Sequence, residues 1–205
     1  CITDESGGIL DDTMTFRLPD DEEPRSPGSR VEADGHPQYL FIPNAGHDAQ
    51  VADWRELDKV FAPNSFDAIL CLGNAFTHLF DEDDRKTALT AIRNVLAPNG
   101  IAIIDHRNYD KILDQGYDSK HQYYYVGSGV EVRPVNIQDD MVRFKYEYED
   151  GNSFYLTLFP LRQNYMTNLM EEAGFASVTN YGDFRKRFDP ADVDFLQVVG
   201  RKPRH

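Results

Sequence analysis

The chain has 205 residues and a formal net charge of −14, from 35 Asp and Glu against 21 Lys and Arg. That length suits one ordinary domain with a sizeable core, and the negative charge argues against nucleic acid or an anionic membrane as a partner. Two cysteines, and no run near the roughly 20 apolar residues of a membrane span, argue against a disulfide scaffold and a helical membrane protein.

The acidity is carried by Asp (24) more than Glu (11), and the basic residues by Arg (14) more than Lys (7). A carboxylate-rich, lysine-poor composition fits a protein of a salt-loving organism or simply an acidic cytoplasmic one. Cys71 sits in an apolar run and is expected as a buried thiol. The six histidines show no metal-ligand spacing. The opening residues do not read as a secretory signal peptide. The chain starts at Cys1 with no initiator Met, which reads as a processed product or a fragment.

In chain order, residues 1–43 read as an irregular or weakly ordered leader. Gly7-Gly8, Asp20 to Glu23 and Pro24 to Ser29 are turn and coil chemistry, with short apolar pieces at Ile9-Leu10 and Tyr39 to Ile42 as candidate edge strands. From Asn44 the texture changes. Ala49 to Ala52 predicts a short strand ending at Asp53-Trp54, followed by a helical turn or loop over Arg55 to Val60. Phe66 to Leu72 predicts a buried strand bounded by Pro63-Asn64 and Gly73-Asn74. Asp81 to Asp84 opens a helix, because acids offset the partial positive charge of a helix N-terminus; that accounts for the acidic run better than a metal site does. Ala88, Leu89, Ile92, Val95 and Leu96 keep helical spacing and face a sheet, and Pro98-Asn99-Gly100 ends the helix.

Ile101 to Asp110 follows. Ile101 to Ile104 is an apolar run suited to a parallel strand covered on both faces. It leads into Asp105-His-Arg-Asn-Tyr109, where ligands of open α/β sheets sit. Arg107 there can grip a carboxylate with two parallel hydrogen bonds, or pair with a neighbouring Asp. Tyr123 to Phe159 is β-rich, with a hairpin signal at Asp150-Gly151, and predicts an antiparallel insert over about 117–160. Gly127-Ser-Gly129 lies between strand-like residues and reads as a hairpin turn, not a phosphate-binding loop. Tyr165, Met166, Leu169, Met170 and Ala173 form a helical stripe capped by Gly174, and Ala176 to Tyr181 and Asp194 to Val199 predict two final strands.

Asp53-Trp54, Ile69 to His78 with its Leu-Gly-Asn string, and Ile104-Asp-His-Arg-Asn-Tyr-Asp110 resemble, in this order and spacing, the glycine and glycine/sarcosine N-methyltransferases. The resemblance runs from about Asn44 to the end. It implies an α/β class I methyltransferase (Rossmann-like) fold, and S-adenosyl-L-methionine as cofactor. It also implies methyl transfer to glycine or sarcosine, a small-molecule substrate on the route toward betaine. By the same resemblance, Asp53 and Trp54 meet the adenine, Leu72 and His78 line the cofactor pocket, and Tyr125 reaches the cofactor. Asn74 and Arg107 hold the substrate carboxylate, and Tyr146 closes over the amino acid. Read without it, Trp54, Tyr125 and Tyr146 are packing aromatics and His78 is a helix-entry hydrogen bond.

The family's opening strand, glycine-rich turn and helix, and the acid that holds the ribose, do not precede Asn44. The expectation is therefore a domain over 44–205 that is incomplete at its N-terminal side. In this fold the missing strands lie between the Asp53 and Cys71 strands. Their absence bares a strand edge that a second copy or a complementary fragment would cover. The chain by itself is then expected to methylate glycine below a normal rate. The alternative is a non-catalytic remnant or assembly subunit. A nicotinamide oxidoreductase is disfavoured, since no dinucleotide fingerprint is present.

Overall fold

The computed structural model describes residues 52–120, 130–149 and 151–204 in full, together with the backbone of five short strands before them. Those strands are β1 (Ile2–Thr3), β2 (Ile9–Asp11), β3 (Thr15–Arg17), β4 (Ser29–Val31) and β5 (Tyr39–Phe41). β1 pairs with β2, and β5 lies between β3 and β4, all antiparallel. Ile9-Leu10 falls in β2, and Tyr39 to Phe41 of the second apolar piece form β5. Of the strand expected over Ala49 to Ala52 only Ala52 is fully described, and it is not in a strand; the Tyr123 to Tyr125 stretch and the Gly127 to Gly129 turn lie outside the fully described residues.

The main sheet has the order β11-β12-β7-β6. β6 (Phe66–Cys71) and β7 (Leu96–Arg107) are parallel, with Cys71 opposite Ile104, and α2 (Glu82–Val95) makes the crossover between them. β12 (Phe195–Arg201) and β11 (Ser177–Gly182) add on antiparallel. A parallel pair needs a long connection, and α2 supplies it. The acidic run does what its position suggests: the Asp81 carboxylate accepts the backbone N–H groups of Asp83 (2.8 Å) and Asp84 (3.3 Å) as N-cap. Ala88, Leu89, Ile92 and Val95 are all buried, and α2 packs on β7. β7 begins at Leu96, so strand follows helix directly and Pro98 to Gly100 lie inside it.

α4 (Gln163–Glu172) packs on β11 and β12 and touches α2, burying Met166, Leu169 and Met170. At Gly200 a Cβ would stand 2.6 Å from Met170 and 2.8 Å from Phe175, so only glycine lets α4 approach β12 this closely. Arg85 pins the two helices. Its guanidinium donates to the Tyr165 hydroxyl (2.9 Å) and the Leu79 carbonyl (2.6 Å) and lies 3.8 Å over the Phe159 ring.

The insert is a separate sheet of order β10-β9-β8, built from β8 (Val130–Gln138), β9 (Met141–Tyr148) and β10 (Ser153–Leu158). Along β9 the period of two is plain. Val142 and Phe144 are buried and Tyr146 half-buried on one face, while Arg143, Lys145 and Glu147 lie on the other. Gly151, at φ +86°, helps turn β9 into β10, and the Tyr148 N–H meets the Asn152 carbonyl at 2.9 Å. α3 (Tyr109–Gln115), which the sequence reading did not anticipate, follows β7 directly and contacts β8.

One strand departs from expectation. β6 was expected to be buried, yet Asp67, Ala68 and Leu70 are exposed, Leu70 to 51%. The reason is its place: among the described residues it closes the order of the main sheet, with β7 as its neighbour in that order.

Candidate active site

The turn leaving β6 starts the site. Gly73 (φ +72°) and Asn74 (φ +67°) are both left-handed, a conformation that favours these two residue types. Asp105, fully buried on β7, holds this turn: its carboxylate accepts the Gly73 N–H (3.3 Å) and the Gln197 amide (2.8 Å), and its carbonyl accepts the Asn74 N–H (3.2 Å). So the ends of the two parallel strands are tied together where such sheets place ligands.

Asn74 is itself almost fully buried. Its Oδ1 accepts the Arg107 backbone N–H at 3.1 Å and lies 3.2 Å from the Tyr109 hydroxyl, to which Nδ2 donates at 2.9 Å. Burial pushes the Tyr109 phenol up to about 12, against a smaller opposing effect of the Asn74 bond, so it stays protonated. Thr77 adds its hydroxyl to the Asn74 carbonyl. Tyr109 belonged to the sequence motif without a role; its role here is to lock Asn74. The signal was the motif itself.

Arg107 ends β7 and is 2% exposed. Among the described residues three rings wall its guanidinium: Phe144 at 5.2 Å, Tyr117 at 5.7 Å and Phe195 at 5.9 Å from Cζ to centroid. Nη1 donates to the Tyr117 hydroxyl at 3.4 Å, and the Tyr146 phenol lies near enough to feel the guanidinium charge. Burial raises the Tyr146 phenol above its ordinary range, with Arg107 pulling the other way. Behind Arg107, His106 is fully buried and 2.7 Å from the Arg107 carbonyl. A carbonyl only accepts, so Nδ1 carries the proton; burial holds the ring neutral. Its Nε2 has no hydrogen-bond partner among the described residues.

Asn74, Arg107 and Tyr146, from three different elements, thus come together. Tyr117 joins them, and nothing in the sequence marked it, since it is brought there by a chain reversal after α3. Of the residues expected at the cofactor, Leu72 and His78 follow the end of β6. Trp54 is buried and stacks on Phe76 at 5.5 Å and 15°. Asp53 caps the short helix Trp54–Glu56 and binds Arg55, whose N–H and Nε reach Oδ1 at 2.9 and 3.0 Å; this hydrogen bonding, above all, holds the Asp53 carboxyl below its ordinary range. Leu72, just past β6, is 37% exposed. His78 ends the short helix Ala75–His78, and burial pulls its imidazole down to about 4. Tyr125 lies outside the described residues. No helix among the described residues is long and apolar enough to cross a membrane.

Residues 42–100 match the methyltransferase domain family. The chain is 49% identical over 150 residues to a glycine/sarcosine N-methyltransferase of Halorhodospira halochloris, an alignment covering 73% of this chain and 56% of that protein. It is 44% identical over 180 residues to a glycine/sarcosine/dimethylglycine N-methyltransferase of Actinopolyspora halophila, covering 84% of this chain and 32% of that one. Among solved structures, the CcbJ methyltransferase of Streptomyces caelestis is similar in fold, with a TM-score of 0.52, 17% identity, and 75% of this chain and 62% of that chain covered. The chain spans about half the length of the first of these relatives and a third of the second. With its mixed sheet, its strand-end site and these relatives, the chain belongs to the glycine/sarcosine N-methyltransferase family, on a class I Rossmann-like α/β fold.

Proposed function

We propose that the chain serves an S-adenosyl-L-methionine-dependent N-methyltransferase acting on glycine, sarcosine or both, in the cytoplasm and on the route toward betaine. The observation that carries this is the Arg107 guanidinium, 2% exposed, walled by aromatic rings and met by two tyrosines at the end of a parallel strand. The acidic composition and the names of the relatives support the setting.

The residues expected at the cofactor fit an adenine: an aromatic ring at Trp54, an apolar side chain exposed at Leu72 and a partly exposed carboxylate at Asp53. The bound cofactor supplies a methyl group on a sulfonium. Everything else falls to the chain. Arg107 grips the carboxylate and so fixes which end of the amino acid faces away from it. Asn74 holds the Arg107 backbone N–H, and its Nδ2 carries two protons, of which the Tyr109 hydroxyl takes one. Tyr146, on the inner face of the insert, closes over the amino acid. The transfer is a direct displacement, so holding the neutral amine in line does most of the catalysis and no strong base is required.

Arg107→Lys tests this. A lysine keeps the charge but loses the two-point grip, removing a charge-assisted bond of about 1.5–3 kcal/mol. Methyl-transfer efficiency on glycine and sarcosine should drop at least about tenfold, with cofactor affinity little changed in calorimetry. Unaltered efficiency for both amino acids means that Arg107 does not hold the substrate.

A further inference from the structure

We propose that Tyr117 is a further substrate-contacting residue, donating its hydroxyl proton to the carboxylate that Arg107 grips and helping the site choose a carboxylate over a carboxamide. This rests on the reading of Arg107 as the carboxylate anchor and adds to it a group that lies outside every motif of the sequence.

The placement is built. Gly116 caps the C-terminus of α3; its φ of +89° and ψ of 173° reverse the chain, and no atom lies within 4 Å of where its Cβ would be. The next residue, Tyr117, is thereby laid against the end of β7. Its ring meets Phe144 edge-on, with centroids 5.6 Å apart and an interplanar angle of 72°. Phe144 is fully buried on β9, two residues before Tyr146. Tyr117 and Tyr146 therefore reach one guanidinium from separate elements.

The direction of the bond matters. A guanidinium only donates, so in the 3.4 Å contact with Nη1 the Tyr117 oxygen is the acceptor. Its own O–H proton must point elsewhere, and among the described residues no acceptor receives it. A donor poised beside a cation matches an anionic oxygen. A carboxylate accepts at about four lone-pair sites, enough for the guanidinium and both phenols. A carboxamide presents an NH2 to the same donors and leaves at least one of them unmatched. The contact is long for a hydrogen bond, so the hydroxyl can turn to a ligand at little cost.

Tyr117→Phe removes the hydroxyl and keeps the ring on Phe144. Calorimetric titration of the 205-residue chain with glycine and with glycinamide, alongside thermal melts, decides the matter. We expect the dissociation constant for glycine to rise about tenfold or more, as loss of a bond to a charged group implies. Glycinamide should change less than about twofold and the melting temperature should hold. Tyr117→Leu, which also loses the ring, should lower the melting temperature and so separate packing from donation. Unchanged glycine affinity in Tyr117→Phe, or an equal loss for both ligands, overturns the assignment. If Arg107→Lys weakens glycine binding while Tyr117→Phe does not, the Tyr117 assignment alone falls. If wild type binds no glycine, or Arg107→Lys binds it as wild type does, the anchor falls and Tyr117 with it.

Discussion

Asn74 combines a left-handed backbone with a side chain bonded to Arg107 and Tyr109, and the two contributions can be separated. Asn74→Gly relieves the backbone and loses the bonds; Asn74→Ala loses the bonds and adds a left-handed penalty of about 1 kcal/mol. We expect urea unfolding to show Gly about 2–4 kcal/mol below wild type, because buried donors are left unmatched, and Ala lower still. A glycine variant as stable as wild type means that only the backbone angle matters. The histidines set a pH dependence. Burial lowers His106 and brings His78 down to about 4, whereas an unfolded histidine titrates near 6.5. The native state therefore binds fewer protons below that point. Its stability is fully present above about pH 6.5 and falls as pH drops toward 4, by up to about 1.4 kcal/mol per unit for each histidine. Melts from pH 7 to 5 check this, and His106→Asn should flatten part of the slope. At this scale the place of Arg107 at the end of an apolar strand was legible, whereas the residues alone left open whether it grips a carboxylate or pairs with a neighbouring Asp. Tyr117 was not legible, since its neighbours in space come from β7 and β9.

α3 owes its position to contacts with the segment before β12. Asn108 caps it through the Lys111 N–H (3.1 Å) and gives its amide to the Pro190 and Val193 carbonyls, at 2.7 and 3.0 Å. Lys111 meets Asp194 at 3.2 Å, with side chains only 9% and 2% exposed, and the Ser119 hydroxyl takes the other Asp194 oxygen. Breaking a buried pair strands a charge, so Lys111→Met should cost about 3–5 kcal/mol in denaturant unfolding. Lys111→Met with Asp194→Asn should recover at least half of that, and no recovery would mean the lysine stem, not its charge, is what counts. Such a brace explains why α3 escaped the reading: its seven residues carry too short a pattern, and its cap contacts residues some 80 positions away. α2 was legible because its fourteen residues repeat the apolar period behind an acidic N-terminus. β6 was read two ways: its apolar run pointed to burial, while the strands missing before Asn44 pointed to a bared edge, and Leu70, 51% exposed, follows the second.

For the whole molecule, the net charge of −14 is the feature most open to manipulation. Self-repulsion disfavours the compact state and is screened as the Debye length falls from about 10 Å at 0.1 M salt to about 3 Å at 1 M. The midpoint of thermal unfolding should climb as potassium chloride is raised across that range; a flat or falling midpoint would mean that repulsion is not limiting. The arrangement of helices against the main sheet and the antiparallel character of the insert both followed from apolar spacing. The joining of the two at Arg107 did not. Phe144 and Tyr146 alternate as any half-buried strand does, and only the tertiary fold sets that face against the end of β7.

Trp54 is the chain's one tryptophan, and it lies flat against Phe76 away from water. Its fluorescence is therefore a single-site optical signal. In the native state the emission maximum should sit at short wavelength and shift red as the stack opens to solvent. A nucleoside stacking on the indole would quench it, whereas an amino acid held at Arg107 would leave it unchanged. Stopped-flow mixing with each ligand in turn would then time the filling of one pocket without interference from the other.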